Sequence, residues 1–416
     1  MKIVAEEKKI VMWLYFVALL GSMLTLVDNV PFIGVWNRIK YLYIIVVAFF
    51  CLYDGVMVWN RRFYWALGLL VVHTVLYGVV FVNPVIANET RLHFSLMITC
   101  YLMVFFTVLY VYKKRCYTLF LEMSCLALVA FVCWCAFTHP GDFVNPIYFV
   151  NIFSRMGRFR APFGMGDVNY CGNYCVYLIV VSVLLWNEWK REKKEIDKKL
   201  RYALLFVNFV AFYMLLSTAS RSAILSIALF AGVGLILRYK SVLLKHWKAI
   251  AAVMAIFVLL VLVVLIPTGL LSEIWSQSNR EGNISINYPI FVAHGDYMNG
   301  MGYMDNSGFL NQKFGYPTTA MDIYFLHILF STGIVGAVLV FGQMLYMLYC
   351  LVRYSKTNGR DMALSMYLMM LFYAVWQVNY MNCRYWTGVV HMVVLFMFLL
   401  RIREEKDTYL ICFKRR

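Results

Sequence analysis

Residues 202–237, YALLFVNFVAFYMLLSTASRSAILSIALFAGVGLIL, decide the class of fold. They hold two apolar segments, 202–217 and 222–237, separated only by the small polar stretch 217–221. Each approaches the length of about 20 residues that crosses a bilayer as a helix. So short a connection leaves no room for a soluble domain, and the pair reads as a tight helical hairpin. Arg221, in the turn, is thereby fixed near one membrane surface.

The same pattern recurs on both sides of this hairpin. Twelve apolar segments can be drawn, at 10–27, 39–59, 63–82, 93–112, 117–137, 169–187, 202–217, 222–237, 248–267, 319–352, 362–380 and 385–402. The tenth exceeds one span and is expected to begin outside the bilayer or to tilt. Of the 416 residues, 63% are hydrophobic and 14% charged, and mean hydropathy is +0.72. Globular chains are about 25% charged. A soluble enzyme, a disordered chain and a disulfide scaffold are excluded. The expectation is an all-α polytopic membrane protein of about twelve transmembrane helices, a single integral membrane domain over 1–416.

The formal net charge of +17 then becomes a question of sides. With the N-terminus placed in the cytoplasm, about 28 of the 38 Lys and Arg fall on cytoplasmic segments and about 10 outside. The bias holds through all twelve segments and predicts cytoplasmic N- and C-termini. It encodes orientation and gives no reason to expect nucleic acid. No small-residue cleavage site follows the first apolar segment, which reads as an uncleaved first helix. The cysteines lie mostly in apolar runs and read as packing residues; Cys171 and Cys175 share a helical face without a metal-binding spacing.

Two external loops are long, 138–168 and 268–318. Long loops tend to carry function. The second is rich in Gly, Asn and Tyr, and short helices are expected there, covering the outer mouth of the bundle and a site within it.

Eight of the ten external basic residues are Arg. A guanidinium presents several donors in a fixed fork that matches phosphate oxygens. Arg155, Arg158 and Arg160 cluster in SRMGRFRAPFGMGDVNYCGNY; Arg221 lies in the hairpin, Arg280 in the large loop and Arg384 in NYMNCRYW. Each is either a helix-end or headgroup contact, or part of a cavity for a phosphate or pyrophosphate. Asp322 opens the tenth segment in YPTTAMDIYFLHILFSTGIVG, on a helical face with Phe325, Leu326, Leu329 and Gly333. It is either a charge at a helix N-terminus or a general base. Asp167, Asp296 and Asp305 are lesser versions of the same idea, and His294 is a minor catalytic candidate. Asp54, Glu122 and His327 read as structural, the first two as ion-pair partners. No Walker A loop, no metal-ligand cluster and no cytoplasmic domain for a nucleotide sugar is present. Chemistry is expected at the outer face, on a substrate that arrives already activated.

Three stretches in order resemble the O-antigen ligase/polymerase superfamily of bacterial membrane proteins. They are RFRAPFGMGDVNYCGNY (158–174), STASRSAILSIALFAGVGLIL (217–237) and MDIYFLHILFSTGIVGAVL (321–339). They resemble the family's arginine–FG–Asn stretch, its S-x-S-R hairpin and its HN-x-x-L-x-x-L-x-x-x-G-x-x-G segment after the large loop. The ligase branch opens the third motif with His; this chain has Asp322 there, with Ile323 in place of the usual Asn. It looks like the Asp-bearing variant of Wzy-type polymerases of O-antigen, capsule or exopolysaccharide repeats.

The resemblance implies a GT-C-like, metal-independent glycosyltransferase of the bacterial inner membrane, with no cofactor. Its substrates would be oligosaccharide repeats on undecaprenyl pyrophosphate, and its partners a flippase and a chain-length regulator. In that reading Arg160 and Arg221 hold the pyrophosphate leaving group, with Asp322 as base. Arg158, Arg384, Arg280, Arg155 and Asn169 bind substrate. Trp275, Tyr288, Tyr297 and Tyr303 stack on sugars or belong to the interfacial aromatic belt. The rival readings are a ligase that delivers glycan to lipid A core or protein, and a transporter without chemistry. The transporter predicts broken helices and paired repeats, neither of which is read here.

Overall fold

Helices cover eleven of the twelve apolar segments in the computed structural model. It describes residues 2–28, 30–53, 56–144, 160–239, 259, 280–302, 312–313, 315–316, 323–353, 360–376, 387–401 and 408–412. The segment 248–267 lies outside these residues, Leu259 excepted. In chain order the helices are α1 (Lys2–Leu24), α2 (Ile33–Tyr53), α3 (Arg61–Val75, continuing as a π-helical turn Leu76–Val80), α4 (Ala87–Lys114), α5 (Tyr117–Thr138) and α6 (Val168–Arg191). Then follow α7 (Lys198–Ser217), α8 (Arg221–Arg238), α9 (Arg280–His294), α10 (Tyr324–Arg353), α11 (Arg360–Trp376) and α12 (Thr387–Leu400). Among the described residues, eight helical stretches are long and apolar enough to cross a membrane, and α11 and α12 contain shorter apolar helices.

The outward faces explain why the chain belongs in lipid. Leu42, Ile45, Phe49 and Leu52 of α2 are exposed at helical spacing. So are Leu205, Phe209 and Phe212 of α7, and Val338, Leu345 and Val352 of α10. Rows of bare apolar side chains are untenable in water and are what a span presents to acyl chains. The chain is an all-α polytopic membrane protein. Its interior gathers around α6, which packs on α5, α7 and α8 and buries Tyr174 against Phe131.

One end of the bundle collects paired charge. Lys114 meets Glu7 at 3.0 Å, Lys194 meets Glu122 at 2.6 Å, and Arg401 meets Glu188 at 3.2 Å while lying 4.0 Å over the Tyr117 ring. Glu122 is thus an ion-pair partner, as expected; Asp54 lies outside the described residues. The described cysteines are free thiols, nearly all buried.

Three sequence expectations need correction. Residues 56–59 do not extend the second span. Val56–Asn60 forms a strand, β1, antiparallel to β2 (Thr408–Cys412), with Val58 opposite Leu410. The β-branched Val56 and Val58 and the aromatic Trp59 are residue types that suit a strand, and Asn60 then caps α3 by accepting from the Phe63 amide at 3.0 Å. Second, α7 and α8 share a short turn but separate beyond it. α8 packs mainly along α11 and α6.

Third, α10 is broken. Gly333 has φ 60°, ψ −164°, and the helix restarts after it. The turn 296–302 fills the gap. Met301 and Gly302 amides donate to the Phe330 and Ser331 carbonyls at 2.7 and 3.0 Å. Ile334 and Val335 amides donate to the Tyr297 and Met298 carbonyls at 3.0 and 3.2 Å. Four backbone groups that a break would orphan are paired by a distant segment. The run LFSTGIVGAVL reads locally as continuous helix, and only the tertiary partner makes the break affordable. Residues 334–353 alone span about 30 Å at 1.5 Å per residue, enough to cross a bilayer. The excess length of the tenth segment therefore lies before the break. The break takes Gly333 off the helical face that carries Phe325, Leu326 and Leu329; Asp322 lies outside the described residues.

Candidate active site

The end of the bundle opposite the paired charges is where α6 begins, α7 ends and α8 begins. Asp167 fixes the start of α6, its Oδ1 accepting from the Asn169 amide at 2.8 Å. That role takes up the carboxylate as a cap. Asn169 then stands in the first turn of α6, directed at the α7–α8 turn. That turn is tight because Ala219 adopts φ 48°, and Thr218 Oγ1 accepts from the Ser220 amide at 3.3 Å. Gly172 lets the two elements meet: a Cβ there would lie 3.1 Å from Ser220 Cβ and 3.2 Å from Ala223 Cβ.

Arg160 enters from the long loop. The Ala161 amide donates to the Ser217 carbonyl at 3.2 Å, which lays this segment along the turn. The segment is held from two further directions. The Phe163 amide donates to Asp142 Oδ2 at 2.7 Å, and the Asp28 amide donates to the Gly164 carbonyl at 2.8 Å.

The polar centre is Asn169 Oδ1. It accepts from Arg160 Nη2 at 2.8 Å and from Ser220 Oγ at 3.2 Å. Arg160 Nε also donates to the Thr218 carbonyl at 3.4 Å. Two acceptors on two elements hold the guanidinium in one orientation, half-buried. Ser220 occupies the N-cap of α8 but makes no capping bond to it, its hydroxyl being turned to Asn169. Arg221 follows directly as the first residue of α8. The Arg160 guanidinium and a helix N-terminus without its side-chain cap, with Arg221 next to Ser220 in the chain, border one small polar cluster. Such an arrangement favours an anion with several acceptor oxygens.

Of the nine residues selected from the sequence, Arg160 and Asn169 meet here, and Arg221 begins α8 beside Ser220. Asp322, Arg155, Arg158, Arg384 and Tyr303 lie outside the described residues. Arg280 opens α9, and its side chain is likewise outside them. Asp296 is occupied locally, accepting from the Met298 amide and from Asn299 Nδ2, both at 2.8 Å. His327 is buried in α10, as expected for a core residue. Tyr288 and Tyr297 are exposed, Tyr297 packing edge-on against Phe291; Trp275 and Asp305 lie outside the described residues. Thr218 and Ser220 were not singled out from the sequence. Their signal is the density of hydroxyls in STASRSA, between two spans that otherwise exclude polar groups. No protein-family model matches the chain, and no curated protein matches it.

Proposed function

We propose that the chain is a polysaccharide polymerase of the Wzy type, acting at the outer face of a bacterial cytoplasmic membrane. The growing glycan leaves undecaprenyl pyrophosphate and joins the terminal sugar hydroxyl of a new lipid-linked repeat. The observation that carries this reading is the double anchoring of Arg160 by Asn169 and the Thr218 carbonyl beside Arg221. Charge develops on phosphate oxygens as the carrier departs, and cations already in position stabilise it without reorganising. The paired-charge end is the cytoplasmic one in this reading, which puts the arginines on the opposite side, where flipped substrate arrives. Asp322 accepts the proton of the attacking hydroxyl, and the bundle holds both lipid tails close.

The direct test is elongation of a lipid-linked repeat by purified protein, in the presence of a chelator. A length ladder on the lipid carrier is the expected product. Arg221→Ala and Asp322→Ala should each abolish it. Full elongation by both variants removes the site assignment, and a single transfer to a separate acceptor makes the chain a ligase.

A transporter without chemistry has one observation in its favour, the break in α10. The break supports it weakly. Its backbone groups are already taken by the turn 296–302, whereas the broken helices of transporters leave such groups to coordinate cargo.

A further inference from the structure

Tyr373 lies near the C-terminal end of α11, the helix that packs along α8. It is 4% exposed. Its hydroxyl is within reach of Ser220 and Ser222, the residues on either side of Arg221, and Asp167 is also near. Its contacts with these two hydroxyls are loose, and it closes no hydrogen bond of good geometry. A second buried donor shares this condition. Asn173 Nδ2, 2% exposed at the residue level, has no acceptor. Asn173 lies one turn from Asn169 on the same face of α6.

Buried donors are nearly always paired in folded proteins, and exceptions ask for an explanation. The balance at this site is lopsided. Arg160 and Arg221 bring only donors, Asn169 Oδ1 already accepts twice, Asp167 Oδ1 is engaged in capping α6, and Tyr373 and Asn173 add donors that close no hydrogen bond of good geometry. What completes such a cluster is a ligand rich in acceptors and poor in donors. We propose that Tyr373 is a binding residue of the Arg160–Arg221 site, its hydroxyl donating to a phosphate oxygen of the bound ligand. This rests on the reading of the site as one for a lipid pyrophosphate, and names a residue that contacts it.

Tyr373→Phe is a suitable probe because the hydroxyl has only loose contacts with Ser220 and Ser222 to lose. The full chain is placed in phosphatidylcholine nanodiscs, so that no anionic headgroup competes. It is titrated with undecaprenyl pyrophosphate and separately with inorganic pyrophosphate. The expected result is about tenfold weaker binding of both by Tyr373→Phe, the size of one lost hydrogen bond to a charged group. Its melting temperature without ligand should equal or exceed that of the wild type. Wild-type affinity in Tyr373→Phe, with Arg221→Ala weakened, overturns the inference and leaves the proposed function standing. Weakening for the lipid-linked ligand alone overturns the phosphate contact. A melting temperature that falls along with affinity overturns it in favour of a structural hydroxyl. If the wild type binds neither ligand, the inference and the proposed function fall together.

Discussion

Gly300 and Gly333 seat two backbones against each other. A Cβ on Gly300 would lie 2.4 Å from the Ser331 carbonyl, and one on Gly333 would lie 2.4 Å from that of Met298. Both residues have positive φ, 80° and 60°. Strain and clash therefore act together at each. Gly333→Ala and Gly300→Ala should each destabilise by about 3 kcal/mol, since backbone atoms cannot yield as a side-chain tip can. Gly342→Ala, further along α10 where a Cβ meets nothing within 4 Å, should be neutral or slightly stabilising. Thermal unfolding of the three variants in detergent checks this. Equal stability of all three would mean that the turn does not hold the break.

The contrast between these two glycines and the rest of α10 marks what could be read beforehand. Span-length apolar runs announce themselves by composition, so most helix positions were legible, and Glu122 reads as an ion-pair partner because it lies towards the cytoplasmic side of its span. The break at Gly333 was not. It depends on four hydrogen bonds between residues 29 to 37 positions apart, and no local pattern encodes them. The strand Val56–Asn60 was hidden for the same reason, because its partner lies at the far end of the chain. At the site, arginines stood out as rare charges near apolar runs. Ser220, Asn173 and Tyr373 did not, because a hydroxyl or amide in a span is conspicuous only once its missing partner is seen.

Asn169 should control activity through Arg160. Asn169→Ala removes the acceptor shared by Arg160 Nη2 and Ser220 Oγ. Elongation is expected to fall about tenfold or more, in line with the loss of a hydrogen bond to a charged group. Asn169→Asp keeps the acceptor but sets a negative charge beside the guanidinium. It should weaken pyrophosphate binding, and KM should rise more than kcat falls. Steady-state kinetics on a lipid-linked repeat separate the two effects. Wild-type kinetics in both variants would detach Asn169 from the site.

Glu122 should matter more for Trp189 than for Lys194. Its Oε1 accepts from Trp189 Nε1 at 2.8 Å and from Lys194 Nζ at 2.6 Å. Trp189 is buried, while the Lys194 side chain is half exposed. Lys194→Ala breaks a solvent-screened pair and should change stability by less than about 1 kcal/mol. Glu122→Ala strands a buried indole N–H and should remove about 1–2 kcal/mol. Glu122→Gln keeps an acceptor and should lie between. An order with Lys194→Ala as the most damaging would show that the ion pair, and not the indole contact, carries the stabilisation.

Cys116, between α4 and α5, gives a pH-dependent test at the paired-charge end. Burial pushes its thiol from 9.0 up to about 12, against the smaller opposing pull of Lys8 and Lys114. The thiolate is the reactive form, so the folded protein should leave Cys116 unalkylated by N-ethylmaleimide at pH 8. Denaturation in SDS should expose it to complete labelling, and peptide mapping by mass spectrometry reads both states. The linkage has a definite sign. The folded value lies above the unfolded one, so the unfolded chain loses this proton first as pH rises. The contribution to stability is fully present below about pH 9 and is lost progressively as pH climbs toward 12. Cys116→Ser lacks a group that ionises in this range, and the alkaline fall in its melting temperature should be shallower than in the wild type. Rapid labelling of Cys116 at pH 8 in the folded protein, or identical alkaline profiles for the two chains, would show that the thiol is not held in this buried setting.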